Sequence, residues 1–258
     1  MPLLGGTANR GQVHRVGDTV RRPLRATSTA THALLRHLEE VGFDGAPRVL
    51  GVDDSGREVL SYVPGHAVTA PPPAWGLTDD ALRSVGHLLR RFHDAAAAFD
   101  PAPYRWSHPA PAPFDGVGIA HNDPNLDNVV FRAGRAVALI DFDLAGPGSA
   151  VWDVAAAARL WAPLRDPADT PDARRGRELE RTRILVDAYG LDAAGRAAFL
   201  PALRDSHEWM CGIVRDGAAR GVPGFAAYWT PGAAARQERA RAWFDRNAEA
   251  IEEALRTP

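Results

Sequence analysis

Residues His121, Asn122, Asp123, Asn128 and Asp141 carry side chains whose types and spacing suit chemistry at a divalent cation. An amide oxygen and a carboxylate, from Asn128 and Asp141, fit Mg²⁺, which keeps several waters and takes its other ligands from substrate phosphates. Asp123, a few positions earlier, is then placed to orient an attacking hydroxyl or accept its proton. A β-hairpin must bring these groups together. Val129-Val130-Phe131 and Val137-Ala138-Leu139-Ile140 are β-rich runs flanking the turn-former Ala133-Gly134-Arg135. Their pairing leaves Asp123 and Asn128 in the loop entering the hairpin and Asp141 where its second strand ends. Loops rich in Asp and Asn are mostly solvated turns; two such segments joined by a hairpin are a more specific signal than either alone.

His121-Asn122-Asp123, four residues, Asn128, then Ile140-Asp141-Phe142-Asp143 resembles the catalytic loop and metal-binding segment of the aminoglycoside phosphotransferase and choline kinase-like family. Protein kinases use the same arrangement as H-R-D-x-x-x-x-N and D-F-G. The resemblance implies an α+β, two-lobed, protein-kinase-like fold. Residues 1–63 would form a small antiparallel β-sheet lobe that binds nucleotide, and 64–258 a larger, mostly helical lobe for catalysis and acceptor binding. It also implies ATP or GTP as phosphoryl donor, Mg²⁺ as cofactor, and a small-molecule hydroxyl as acceptor, an antibiotic such as an aminoglycoside being one candidate. Asp123 is then the catalytic residue, with Asn128 and Asp141 as metal ligands.

The N-terminal part reads as strands. Gly5 to Gly11 is a glycine-rich lip before a hairpin of Val13–Val16 and Thr19–Arg22 joined by Gly17-Asp18. The resemblance places such a lip over nucleotide phosphates and a Lys on the second strand, but this chain contains no lysine, so all 30 of its Lys+Arg residues are Arg. Arg21 or Arg22 must stand in, with Arg21 the first choice; Arg can grip phosphate in a bidentate way but differs from Lys in reach. A helix is expected from Thr29 to Val41, with Leu34, Leu35 and Leu38 on its apolar face. The family motif puts His32 where a Glu would hold the Lys, a departure from the pattern. Two more strands, Arg48–Val52 and Arg57–Val63, lead to Pro64-Gly65. That run resembles the family's hinge and makes Ser61 to Val63 candidates for backbone contacts to adenine, Ser61 and Val63 foremost.

Beyond the stiff Pro71-Pro72-Pro73 connector, Thr78 caps a helix reaching about Phe99, with Leu82, Val85, Leu89, Phe92 and Ala96 in one stripe. His93 near its end reads as a structural histidine. Asp153 opens an Ala-rich helix over 154–160, and the resemblance makes it a brace for the catalytic loop. Helices are expected over 173–189, 193–221 with a break at Pro201, and 233–255. Asp205, Glu208, Trp209 and Asp216 could share one face and line a pocket for a polar or cationic acceptor.

A hydrophobic content of 45%, charged content of 24% and net charge of -2 describe an ordinary globular protein with no field for nucleic acid and no polybasic patch for a membrane. One cysteine, Cys211, excludes an intrachain disulfide, and no stretch reads as a leader or a span, so a cytoplasmic location is expected. Two rivals to a kinase follow. A degenerate phosphotransferase could act as a binding or immunity protein, given the missing Lys and His32 at the Glu position. A phosphatase fits less well, because the sequence shows neither a richer metal cluster nor a nucleophile motif.

Overall fold

The computed structural model describes residues 11–116 and 118–256, so most of the expected glycine-rich lip, Gly5 to Arg10, lies outside the described residues. β1 (His14–Val16) and β2 (Thr19–Pro23) form the expected hairpin. β3 (Val49–Val52) and β4 (Arg57–Ser61) pair across a turn whose Asp53 carboxylate accepts the N–H groups of Ser55 and Arg57. β2 lies against β4, giving an antiparallel sheet of order β1-β2-β4-β3. That register sets Arg22 directly opposite Glu58. α1 (Ser28–Glu40) buries Leu34, Leu35 and Leu38 and stops before Gly42, whose φ of 78° suits a residue without Cβ.

The chain then enters a helical lobe built around a second, three-stranded sheet. β5 (His66–Ala67) pairs with β7 (Val129–Arg132), which pairs with β8 (Arg135–Leu139). The β7–β8 hairpin is the expected one; Ala133 and Gly134 turn it with φ of 49° and 75°. Gly65 precedes β5 at φ 147°, and a Cβ there would meet the Phe131 carbonyl at 2.6 Å, so this position needs glycine. β6 (Ile119–Ala120) pairs with β9 (Gly146–Pro147) and closes the segment 121–145 at both ends.

α2 (Asp79–Ala96) starts at Thr78, whose hydroxyl accepts the Ala81 N–H, and buries Leu82, Val85, Leu89, Phe92 and Ala96 as the stripe predicted. It packs on α4 (Glu178–Tyr189), while α3 (Ala150–Trp161) packs on α5 (Ala193–Ala219). Arg181 of α4 is fully buried and donates to the carbonyls of Trp161 and Leu77 and to Asp79, tying three helices together.

Three helical expectations change. α5 runs unbroken through Pro201: the lost N–H and crowding of a mid-helix proline are outweighed by the buried Phe199, Leu200, Ala202 and Leu203 around it. The expected 233–255 helix is two, α7 (Pro231–Arg246) and α8 (Ala248–Leu255), parted at Asn247, whose side chain donates to the Trp243 carbonyl. A short α6 (Pro223–Tyr228) precedes them, in a stretch where no helix is expected.

Candidate active site

The loop from His121 to Asn128 is held from beneath by one carboxylate. Asp153, fully buried on the first turn of α3, accepts the backbone N–H groups of His121 at 2.8 Å and Asn122 at 2.9 Å and the His93 ring at 3.0 Å. His93 bonds onward to the Tyr189 hydroxyl at 2.8 Å. Burial alone would raise the Asp153 pKa; the His93 and His121 contacts outweigh it and hold the group ionised, below the usual carboxylate range. Asn122 adopts a left-handed φ of 67°, donates to the Leu144 carbonyl and accepts the Trp152 indole N–H. His121 donates to the Ile140 carbonyl and meets Phe142 edge-on. The loop therefore has little freedom to move.

On this base Asp123, Asn128 and Asp141 converge. The Ile140 N–H donates to the Asn128 carbonyl at 2.9 Å, extending the β7–β8 ladder and setting Asp141 beside Asn128. The Asn128 amide nitrogen donates to both the carbonyl and the carboxylate of Asp123 at 2.9 and 3.0 Å, which leaves its amide oxygen to meet a cation. Asp141 turns out of the strand at φ 62° and starts the short turn Phe142–Leu144. Burial, then the neighbouring Asp141 and Asp127, push the Asp123 carboxyl up to about 7. Burial and Asp143 raise Asp141 as well, against the pull of Arg22.

Among the described residues no three His, Cys, Asp or Glu side chains form a metal cluster by themselves. Mg²⁺ needs fewer protein ligands when phosphates supply the rest. The donor set here, one amide oxygen and one carboxylate inside a cleft rich in partly desolvated acids, fits that ion.

The structure sets the two arginines on opposite faces of β2. Arg21 points away from the cleft to Asp53 at 3.3 Å. Arg22, on the opposite face of the strand, is buried and pairs with Glu58 at 2.7 Å, Asp141 at 2.8 Å and Asp143 at 2.7 Å. Alternation of side chains along β2 makes the two mutually exclusive candidates. Burial would lower the Arg22 pKa, but Asp143, Asp141 and Glu58 together raise it. His32 does not face Arg21; it bonds Glu58 at 2.7 Å. The carboxylate holding the small lobe's cation thus comes from β4, with the helix contributing a histidine behind it.

Two cavities meet at this site. One of about 220 Å³ lies under the sheet, lined by Val20, Arg22, Leu60 and the Ser61–Val63 connection, and floored by Phe142. Ser61 and Val63 border it, although the Ser61 N–H is already donated to the Arg48 carbonyl. The other, about 730 Å³, opens toward the helices and carries Asp123 on its wall. Thr69, Asp127, Asn128 and Asp141 belong to both. Asp205, Glu208 and Asp216 do not line the larger cavity: all three are exposed on the far side of α5, whose inner face presents Met210, Ile213 and Val214. The sequence reading also passed over Glu58, Asp143 and Arg159. Glu58 was detectable in principle, as the acid opposite Arg22 once β2 is paired with β4.

Comparison with known proteins agrees with this geometry. Residues 106–192 match the model of the phosphotransferase enzyme family. A trifolitoxin immunity protein from Rhizobium leguminosarum bv. trifolii is 37% identical over 211 residues, covering 78% of each chain. Among solved structures, a choline/ethanolamine kinase family protein from Mesorhizobium loti superposes with TM-score 0.62 at 18% identity, over 95% of this chain and 88% of that one. An aminoglycoside phosphotransferase from Streptomyces rimosus, in complex with ADP and streptomycin, gives TM-score 0.52 at 15% identity, over 78% of this chain and 94% of that one. The two-lobed α+β architecture is kinase-like. No helix among the described residues is long and apolar enough to cross a membrane.

Proposed function

This chain belongs to the phosphotransferase enzyme family, and we propose that it transfers the γ-phosphoryl group of ATP or GTP to a hydroxyl of a small molecule. The observation carrying this reading is the meeting of two cavities of about 220 and 730 Å³ along Asp127, Asn128 and Asp141, with Asp123 on the wall of the larger one alone. A nucleotide base fits the slot beneath the sheet, against the Ser61 carbonyl and the Val63 backbone, and an acceptor fits the larger space. In this reading the division near Val63 separates a nucleotide-binding lobe from the lobe carrying catalytic and acceptor groups.

Asp123 orients the acceptor hydroxyl and takes its proton as the oxygen attacks phosphorus and the bond to the β-phosphate breaks. Asn128 and Asp141 would hold Mg²⁺, which supplies charge neutralisation on the phosphates when bound. Arg22, kept in place by Glu58 and His32, presents the cation that a lysine supplies elsewhere. The test is transfer of labelled γ-phosphate to a panel of hydroxylated antibiotics and metabolites, read by product mass. Asp123→Asn should lower kcat by about 10²–10⁴-fold, and Asp141→Asn should remove activity, both with an unchanged circular dichroism spectrum. Full turnover in either variant removes the assignment.

A second reading has its own support in the name of the immunity protein that shares 37% identity with this chain. Protection against a toxin can come from phosphorylating it or from sequestering it on a site that no longer turns over. Product mass separates the two.

A further inference from the structure

The larger cavity holds a charged group that no carboxylate of the described residues contacts. Arg159, on the last turn of α3, lines the cavity with its Nε buried and without a hydrogen-bond partner. Among the described residues its guanidinium makes no ion pair. A basic residue near a helix C-terminus is favoured by the helix dipole, which accounts for the position of Arg159; Asp123 acts on it only through space, and no direct partner meets its Nε. Desolvation of that guanidinium is costly without an acceptor.

The surroundings sharpen the point. The cavity's acids, Asp123, Asp127, Asp141 and Asp143, all belong to the catalytic segment. The facing wall is Met210, Ile213 and Val214 of α5, Phe225 and Tyr228 of α6, and Trp229, with no carboxylate among them. A polycation would find apolar and aromatic surface there and a like charge at Arg159.

We propose that the acceptor bound in this cavity has an apolar body and an anionic oxygen group that seats against Arg159, while its hydroxyl reaches Asp123. The hydroxyl's fate rests on the phosphoryl-transfer reading; the anion's place does not. Arg159 then works as the group that selects the acceptor by charge, and the guanidinium's fork geometry matches a carboxylate or phosphate.

Three probes that share one chain and one hydroxyl isolate the charge: ω-hydroxydodecanoate, its methyl ester, and the matching ω-amino alcohol. Streptomycin serves as a polycationic comparison. Binding is titrated calorimetrically below micelle-forming concentrations and without nucleotide, so turnover is not required. The acid should bind about tenfold tighter than the ester or amine, and Arg159→Gln should erase that preference while keeping the wild-type Tm; Arg159→Glu should favour the amine. Equal binding of the three, binding of none, tighter binding of the amine or streptomycin, or an unchanged preference in Arg159→Gln would overturn the proposal. Selective binding of the acid with no phosphorylation from ATP or GTP would sink the transfer reading and leave the anion site standing.

Discussion

Arg22 carries three ion pairs at once, to Glu58 on the neighbouring strand and to Asp141 and Asp143 across the cleft. A planar fork of five N–H donors reaches all three carboxylates at once, so a chain without lysine still neutralises its acids. Removing the guanidinium would leave Glu58, only 1% exposed, without its permanent counter-charge and dependent on the His32 ring. Arg22→Met should therefore cost about 3–5 kcal/mol of stability. Arg21→Met should cost at most about 1 kcal/mol, because its pair is partly exposed and Asp53 keeps Arg57. Urea unfolding of both variants decides this; equal losses would mean that Arg22 is not the hub. The sequence could not separate these neighbours. Adjacent strand residues face opposite ways, and which face looks inward depends on the long-range pairing of β2 with β4. By contrast, the convergence of Asn128 and Asp141 was legible, because a short hairpin turn is a local signal.

At the scale of elements, α3 acts on the catalytic loop through Asp153, and α5 is joined to α7 through His207. Asp153→Asn keeps the shape but offers one oxygen where two now serve His121, Asn122 and His93. A stability loss of about 1–3 kcal/mol is expected, with a lower kcat and a nearly unchanged nucleotide Kd; the reverse split would place Asp153 in nucleotide binding. His207 donates to the Gln237 carbonyl and meets Phe244 edge-on. Burial first, then Arg159, lowers its pKa to about 4 from the usual 6.5. A histidine depressed in this way is fully stabilising above 6.5, and its contribution is lost as pH falls through 4. The decline is about 3 kcal/mol over that window. Comparing Tm against pH for wild type and His207→Gln tests it: the variant should lack that part of the slope. The α5–α7 contact was not readable in advance, because the 193–221 and 233–255 patterns give helices without saying which faces meet. The split at Asn247 was hidden for a related reason: buried Phe244, Ile251 and Leu255 keep a helical spacing across it.

Across the whole molecule, the small sheet lobe and the helical lobe share the Ser61–Gly65 connection and a seam of ion pairs, Arg22 to Asp141 and Asp143 and Arg25 to Asp143. That seam borders the slot assigned to nucleotide. A triphosphate entering alone brings negative charge toward Asp123, Asp127, Asp141 and Asp143, and repulsion opposes it. With a divalent cation the same acids become favourable. ATP at a hundred times its Kd should therefore stabilise the protein by about 2.7 kcal/mol in the presence of Mg²⁺. For a chain of this size that corresponds to a rise in Tm of roughly 5–11 °C. Without the metal the shift should shrink to a small fraction, and Asp141→Asn should lose the metal dependence while folding normally. A rise in Tm that ignores Mg²⁺ would detach Asn128 and Asp141 from cation binding. A metal-dependent rise without transfer to any acceptor would leave the nucleotide site intact and move the protein to the sequestering role, because positioning and charge neutralisation would be present without a hydroxyl to receive the phosphoryl group.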